Sequence, residues 1–101
     1  MSHEPLETLK TYPVFQHLRA KAETHQRQFR PKETARLHKA GTLHSTLDHR
    51  TENAWNDLVD ARAAGMHQNE AEEVALPHIL LPSEKEEEAA EREKPEQTVY
   101  P

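Results

Sequence analysis

The sequence predicts an all-α protein, and three observations support that prediction. Ala, Glu, Lys, Leu and Arg make up 50 of the 101 residues, a proportion typical of long helices. The absence of cysteine excludes a disulfide scaffold, and two glycines leave few tight turns. Leu, Ile, Val and Phe supply only 17 residues, too few for a β-sandwich or a large enzyme core. We therefore expect a small helical domain that is marginally stable alone or is stabilised by a partner.

Prolines divide the first third of the chain into two predicted helices. Leu6 and Leu9 predict a single helical turn over residues 5–10. Pro13 suits the first turn of a second helix, where its missing N–H has no partner to lose. This helix should end near Phe29, because a residue before proline avoids the α region. Its apolar stripe is Val14, Phe15, Leu18, Ala22 and Phe29.

Residues 32–64 contain no proline and predict one continuous helix of about 33 residues, about 50 Å long at 1.5 Å per residue. Gly41 lies inside it, at a cost of about 1 kcal/mol relative to Ala, and marks a bend or a close helix crossing. Together with the helix that runs from Pro13 to Phe29, it would form a bent helical hairpin. The helix over 32–64 carries a heptad seam, in which successive residues are three or four positions apart. The seam residues are Leu37, Ala40, His44, Leu47, Thr51, Ala54, Leu58 and Ala61. Leu43, Trp55 and Val59 broaden the seam.

The remaining sequence predicts a short third helix. Gly65 suits the left-handed position that ends a helix. Asn69 and Glu72 have the spacing of a capping box, so a helix over 70–76 should follow. We predict that the helical domain comprises residues 1–76 and ends before Pro77.

Two further segments follow this domain. Residues 77–82 form the densest apolar run of the chain, and because prolines bracket it we predict an extended segment. Residues 83–101 are predicted to form an acidic, partly disordered arm, in which Ser83 caps a helix over 84–93. The last eight residues, 94–101, are predicted to be a flexible tail.

Charge is divided between the two halves of the sequence. Residues 10–50 carry nine Lys or Arg against three acidic residues, whereas residues 51–101 carry four against thirteen. The net charge is −5. This distribution predicts an electrostatic interaction between a basic block and an acidic segment, within one chain or with another molecule.

The motifs of the common enzyme classes are missing from the sequence. It contains no Gly-x-Ser-x-Gly, no Gly-rich phosphate loop and no His-Glu-x-x-His, so we predict neither catalytic residues nor a cofactor. His44 with Asp48, and His49 with Glu52, have helical spacings that suit a metal, but no inward Glu-x-x-His pair completes a site. We interpret the eight histidines as solvated or seam residues and predict no metal.

The cellular location is predicted from similar observations. The chain has no run of 18 apolar residues, and its first residues lack the apolar stretch of a signal peptide. Together with the absence of cysteine, this leads us to expect a cytoplasmic protein that spans no membrane.

These observations favour a small non-catalytic assembly, adaptor or regulatory protein that acts through helix packing. A seam on a long helix requires another helix beside it. The helix over residues 13–29 has only about half the length of the predicted helix over 32–64. A second copy of the chain or a different protein would cover the rest, and the apolar run at 77–82 would dock in a groove or on the chain's own helices. The predicted partner-binding residues are Leu37, Leu43, Leu47, Trp55, Leu58, Ile79, Leu80 and Leu81.

The alternative is a nucleic-acid-associated accessory protein. Basic residues on both sides of the Arg30-Pro31 break would converge and neutralise phosphates of the backbone. The competing interpretation is an ordinary basic face that pairs with the acidic segment. The residues of this alternative are Arg19, Arg27, Arg30, Lys32, Arg36 and Lys39.

Overall fold

The computed structural model describes residues 3–93, and within that range the chain is mostly helical and contains no β-strand. The all-α prediction is therefore confirmed. The predicted tail, 94–101, lies outside the described residues. The helices are α1 Leu6–Leu9, α2 Pro13–Phe29, α3 Pro31–Ala40, α4 Leu43–Ala63, α5 Gln68–Ala75 and α6 Glu84–Glu93, with a 3₁₀ turn at Leu76–His78.

The prolines set the boundaries of α2 as predicted. Tyr12 occupies the N-cap position with an extended backbone, and Pro13 is the first helical residue. The helix ends at Phe29 because Arg30, which precedes Pro31, leaves the α region at φ −134° and ψ 55°. Pro31 then opens α3.

The predicted helix of about 33 residues is wrong, because Gly41 interrupts it. Gly41 adopts a left-handed conformation with φ 75°. The N–H groups of Gly41 and Thr42 donate to the carbonyl oxygens of His38 and Leu37 at 3.0 and 2.9 Å. This pair of bonds is a Schellman motif, which satisfies carbonyls at the end of a helix. The longest helix is consequently α4, with 21 residues.

The predicted seam holds only within α4. Leu47, Thr51, Ala54, Leu58 and Ala61 are all buried, as their heptad spacing predicts. In α3 and the first turn of α4 the register is lost: Leu37 is half-buried, Ala40 and His44 are exposed, and Leu43 is buried instead.

Helix α4 lies at the centre of the molecule and contacts α1, α2, α3, α5 and the 3₁₀ turn. Trp55 stacks on Tyr12 with ring centroids 5.5 Å apart and meets Phe15 edge-on at 6.2 Å. The chain thus covers its own seam instead of leaving it for a second copy. Apart from α4, the buried apolar residues are Leu9, Phe15, Leu18, Ala22, Ala71, Ala75 and Ile79.

The segment before α6 differs from its prediction. Residues 77–82 are not uniformly extended, since Pro77 and His78 belong to the 3₁₀ turn and Ile79 continues it as a turn. The capping box at Asn69 is also wrong, because α5 begins two residues earlier than predicted and His67 occupies its N-cap position. Ser83 does cap α6, with its hydroxyl oxygen accepting the N–H of Glu86 at 3.0 Å. Among the described helices, none combines the length and apolarity that crossing a membrane requires.

We expect Gly41→Ala to destabilise the protein by about 1 kcal/mol, because a left-handed conformation penalises any residue that carries a Cβ. No heavy atom lies within 4 Å of the position that the new Cβ would take, so the effect reports backbone strain alone. Urea denaturation measures the change in the free energy of unfolding.

The sign of that change is decisive, because alanine would stabilise a continuous helix at this position by about 1 kcal/mol. Ala35→Gly, at an exposed position inside α3, is the matched control and should cost about 0.5–1 kcal/mol. A gain in stability from Gly41→Ala would contradict the break between α3 and α4.

Candidate interaction surface at the corner between α2 and α3

The corner between α2 and α3, residues 26–34, is closed by its own backbone groups. The N–H of Arg30 donates to the carbonyl oxygen of Gln26 at 2.9 Å, and the N–H of Thr34 donates to that of Arg30 at 2.9 Å. The buried hydroxyl of Thr34 lies 2.9 Å from the Gln26 carbonyl oxygen and 2.7 Å from that of Arg30. These bonds hold the two helices at a fixed angle and turn the Arg30 side chain inward.

A cluster of charged and polar side chains fills the inside of this corner. The Arg30 side chain is only 8% exposed, and its Nε lies 3.0 Å from Oε1 of Glu33. Gln26 donates to the same oxygen at 2.8 Å, and Arg50 from α4 approaches it at 3.4 Å. Arg50 also donates to Oε1 of Gln26 at 2.9 Å. With Arg36, which lies 3.5 Å from Oε2 of Glu33, three cations therefore surround one half-buried carboxylate.

This arrangement shifts the titration of both partners. The hydrogen bond from Arg30, with those from Gln26 and the charge of Arg50, lowers the pKa of Glu33 from 4.5 to about 2 despite its burial. Conversely, Glu33 raises the pKa of Arg30. The cluster is thus fully ionised at neutral pH.

Helix α6 places a carboxylate on the N-terminus of α3. Oε1 of Glu84 accepts the N–H of Lys32 at 3.0 Å, and Oε2 accepts the N–H of Glu33 at 2.7 Å. These N–H groups lie in the first turn of α3, where no helical carbonyl is available to them. A negative charge there is further stabilised by the helix dipole.

Two more residues of α6 approach the same corner. Glu87 lies 2.8 Å from Nη1 of Arg30, and Glu88 lies 3.5 Å from Nζ of Lys32. The carbonyl oxygen of Pro82, just before the helix, also accepts a hydrogen bond from Arg30. Part of the basic block therefore pairs with the chain's own acidic segment.

A second feature, the outer cleft, runs along the exposed face of α2 beside the corner. Its volume is about 380 Å³, and Phe29 is 43% exposed at one end of it. His25 packs against Phe29 with ring centroids 4.8 Å apart. Because a carbonyl oxygen only accepts, Nε2 of His25 must donate to that of Leu81 at 2.6 Å. The cleft is lined by His17, Ala20, Lys21, Thr24, His25, Gln28, Phe29 and Leu80.

Arg19 does not reach the corner. Its Nε lies 2.8 Å from Asp48, and Nη1 lies 3.1 Å from Glu23. Lys10 approaches Asp48 as well, at 3.3 Å. Burial acts to raise the pKa of Asp48, but the hydrogen bonds from Arg19 and Lys10 outweigh it and lower that pKa.

The other predicted nucleic-acid residues divide between burial and exposure. Arg30 is buried in the corner, whereas Lys32, Arg27 and Arg36 expose most of their side chains nearby. Lys39 is exposed near the other end of α3.

The predicted partner-binding residues lie mostly inside the molecule. Leu37, Trp55, Leu80 and Leu81 are half-buried, and of these Leu80 lines the outer cleft. A partner role for the fully buried residues would require the core to open. The fully buried residues of the predicted set are Leu43, Leu47, Leu58 and Ile79.

Sequence reasoning missed the contacts that define this surface. The sequence predicts an acidic, partly disordered arm that can pair with the basic block but does not single out Glu84 and Glu87, although the Ser-Glu-x-x-Glu spacing marks carboxylates on the first turn of a helix. Phe29 belongs to the predicted apolar stripe of α2, but its side chain is exposed, whereas Gln26 is buried. Gln26 and Arg50 gave no signal, because their partner in space is distant in sequence.

Within residues 3–93, no group of three or more His, Asp or Glu side chains is arranged to hold a metal ion. Neither a protein-family model, nor a curated protein, nor a solved structure matches this chain.

We expect Glu33→Gln to flatten the dependence of stability on pH in acid. The folded pKa of Glu33 is about 2 and its ordinary value is 4.5, so its stabilisation is complete above about pH 5 and is lost as pH falls towards 2. The wild type should exceed the variant by about 2 kcal/mol at pH 6, and the difference should shrink at pH 3.

Urea denaturation at a series of pH values measures this difference. Glu73→Gln, an equal change at an exposed position of α5, is the control and should follow the wild-type profile. A gap between wild type and Glu33→Gln that stays constant from pH 6 to pH 3 would show that the carboxylate titrates normally.

Proposed function

We propose that this chain is a small non-catalytic interaction protein that binds a partner protein through the outer cleft. One observation carries the proposal: Phe29 is 43% exposed at a surface cleft beside Leu80 and Ala20. Exposed aromatic rings in clefts are frequent anchors of protein–protein binding. The seam of α4, on which the sequence-based prediction of a partner rests, is covered by other helices of the same chain. The outer cleft is therefore the surface that we propose for partner binding.

The shape of the cleft favours a helix as the partner. Its lining residues on α2 recur at helical spacing from His17 to Gln28, which is about 16 Å at 1.5 Å per residue. A helix that lies along a groove of this length inserts side chains at positions i, i+3 or i+4, and i+7.

The charges around the cleft favour an acidic flank on that helix. Lys21 lines it together with the imidazole groups of His17 and His25. Complementary charge increases the rate of association and excludes basic competitors. The partner is therefore an amphipathic helix with an apolar stripe bordered by Asp or Glu.

We expect Phe29→Ser to weaken binding of such a helix about 30-fold, because truncating a central aromatic anchor costs about 2 kcal/mol. The probe is a fluorescein-labelled synthetic 18-residue helix with Leu at positions i, i+3, i+4 and i+7 and Glu on its flanks. Fluorescence anisotropy measures its dissociation constant.

The chain offers a matched control, because Val74 on α5 is 42% exposed and lies outside the cleft. Val74→Ser should bind the probe as the wild type does, and a probe with Lys in place of Glu should bind less tightly. Circular dichroism checks that both variants remain helical. Equal affinity of Phe29→Ser and wild type would assign the binding to another surface.

A second candidate function is binding of nucleic-acid phosphates at the corner. The observation that favours it is the exposure of three cations there: the Lys32 side chain is 81% exposed, and Arg27 and Arg36 are more than half exposed. Exposed cations of this kind release counterions when they contact phosphates. The acidic residues of α6 beside them oppose this function.

This second candidate predicts a definite salt dependence. Replacing both Arg27 and Arg36 with Gln should reduce the slope of log affinity against log salt for a 20-base-pair DNA duplex by about two. Arg62→Gln, at an exposed position on α4, is the control and should leave the slope unchanged. A slope that is insensitive to both changes would remove the corner from consideration.

A further inference from the structure

We propose that the corner is a receptor for the first turn of an acidic helix, occupied in this chain by α6 and able to accept an acidic helix of another protein. The receptor consists of the N–H groups of Lys32 and Glu33 with the side chains of Arg30 and Lys32. None of these residues lines the outer cleft. This proposal therefore does not depend on the function that we propose for that cleft.

The bound state of Glu84 is the first observation behind this proposal. Both of its carboxylate oxygens are engaged, one by the N–H of Lys32 at 3.0 Å and the other by that of Glu33 at 2.7 Å. This residue comes from a helix more than 50 positions away in the sequence. The first turn of α3 is therefore an occupied carboxylate site with a defined orientation.

The burial of Arg30 is the second, independent observation. The Arg30 side chain is 8% exposed, and its neighbouring acid in the sequence, Glu33, is shared with Arg36 and Arg50. A desolvated cation that shares its only local carboxylate attracts a further one, and Glu87 supplies it at 2.8 Å. The ligand therefore needs a second carboxylate one helical turn after the first.

The weak attachment of α6 makes the site exchangeable. No described residue of α6 belongs to the hydrophobic core, and residues 85–91 are exposed. Its contacts with α3 and Arg30 are hydrogen bonds and ion pairs, and the Glu87 and Glu88 carboxylates are half exposed, so salt screens these pairs.

The receptor itself does not depend on α6 for its position. Ile79 is buried in the core, and His25 holds the carbonyl oxygen of Leu81, so the chain is anchored up to the residue before Pro82. Releasing α6 would consequently leave the corner formed. Arg30 would keep its ion pair with Glu33 but lose the one with Glu87.

The contacts of α6 define the sequence of a competing helix. Ser83 caps its own helix, Glu84 caps α3, and Glu87 reaches Arg30. Glu88, at the next position, approaches Lys32. The partner is therefore an acidic helix that begins with Ser-Glu-x-x-Glu-Glu. Because α6 is tethered beside the site at a high effective concentration, it competes with any such partner.

The test uses the full chain with both Glu84 and Glu87 changed to Gln, so that its own arm no longer fills the receptor. The probe is a fluorescein-labelled peptide of residues 82–93. We expect the probe to bind the double variant at least tenfold more tightly than it binds wild type. The same peptide with Gln at those two positions should lose at least tenfold in affinity for the double variant.

The matched control changes Glu86 and Glu91 to Gln, which alters the charge of α6 equally at two exposed positions. This control should bind the probe as weakly as wild type does. Circular dichroism and the Tm should show that both double variants remain folded. If the E84Q/E87Q chain loses helix content, Glu87→Gln alone replaces it, with an expected threefold gain.

Two results would overturn the proposal. One is a folded double variant that binds the probe no more tightly than wild type. The other is a double variant that binds a 20-base-pair DNA duplex but not the peptide, which would make the corner a phosphate site instead of a receptor for acidic helices.

Discussion

The small-residue seam of α4 is the constraint on which the rest of the structure depends. Thr51, Ala54 and Ala61 are small, buried residues on this seam, and Leu47 and Leu58 are the larger buried apolar residues between them. Helices with small side chains at the contact have short interaxial distances. α2 and α5 therefore both lie against one helix of 21 residues, and the chain covers a seam that would otherwise require a partner.

Packing against α4 also determines where the charged groups meet. It fixes α2 and the 3₁₀ turn, and thereby brings Pro82 and α6 to the corner that Arg30 and Pro31 form. The corner then gathers Glu33, Arg50 and the carboxylates of α6 around one buried guanidinium. Apolar contacts position the elements, and electrostatic contacts attach the acidic arm, so the arm is the part most readily exchanged.

Local sequence signals predicted the elements whose causes are local. Pro13 and Pro31 set the bounds of α2 through their fixed φ and missing N–H, and Ser83 capped α6 through its hydroxyl. Gly41 predicts a bend or a close helix crossing within one long helix, because a glycine inside a helical pattern does not reveal the sign of its φ. Its left-handed conformation shifted the register and exposed His44.

By itself, the sequence determined that this protein is helical, where proline ends its helices and that α4 faces inward from Leu47 to Ala61 with heptad spacing, since these depend on backbone sterics and on periodicity over a few turns. Only the tertiary structure decided that the seam is covered from within, that Arg30 is buried and that Glu84 caps α3. Those contacts join residues 3 to 52 positions apart, and most of them exist only because the apolar core brings distant helices together. The surfaces proposed for binding are products of that arrangement.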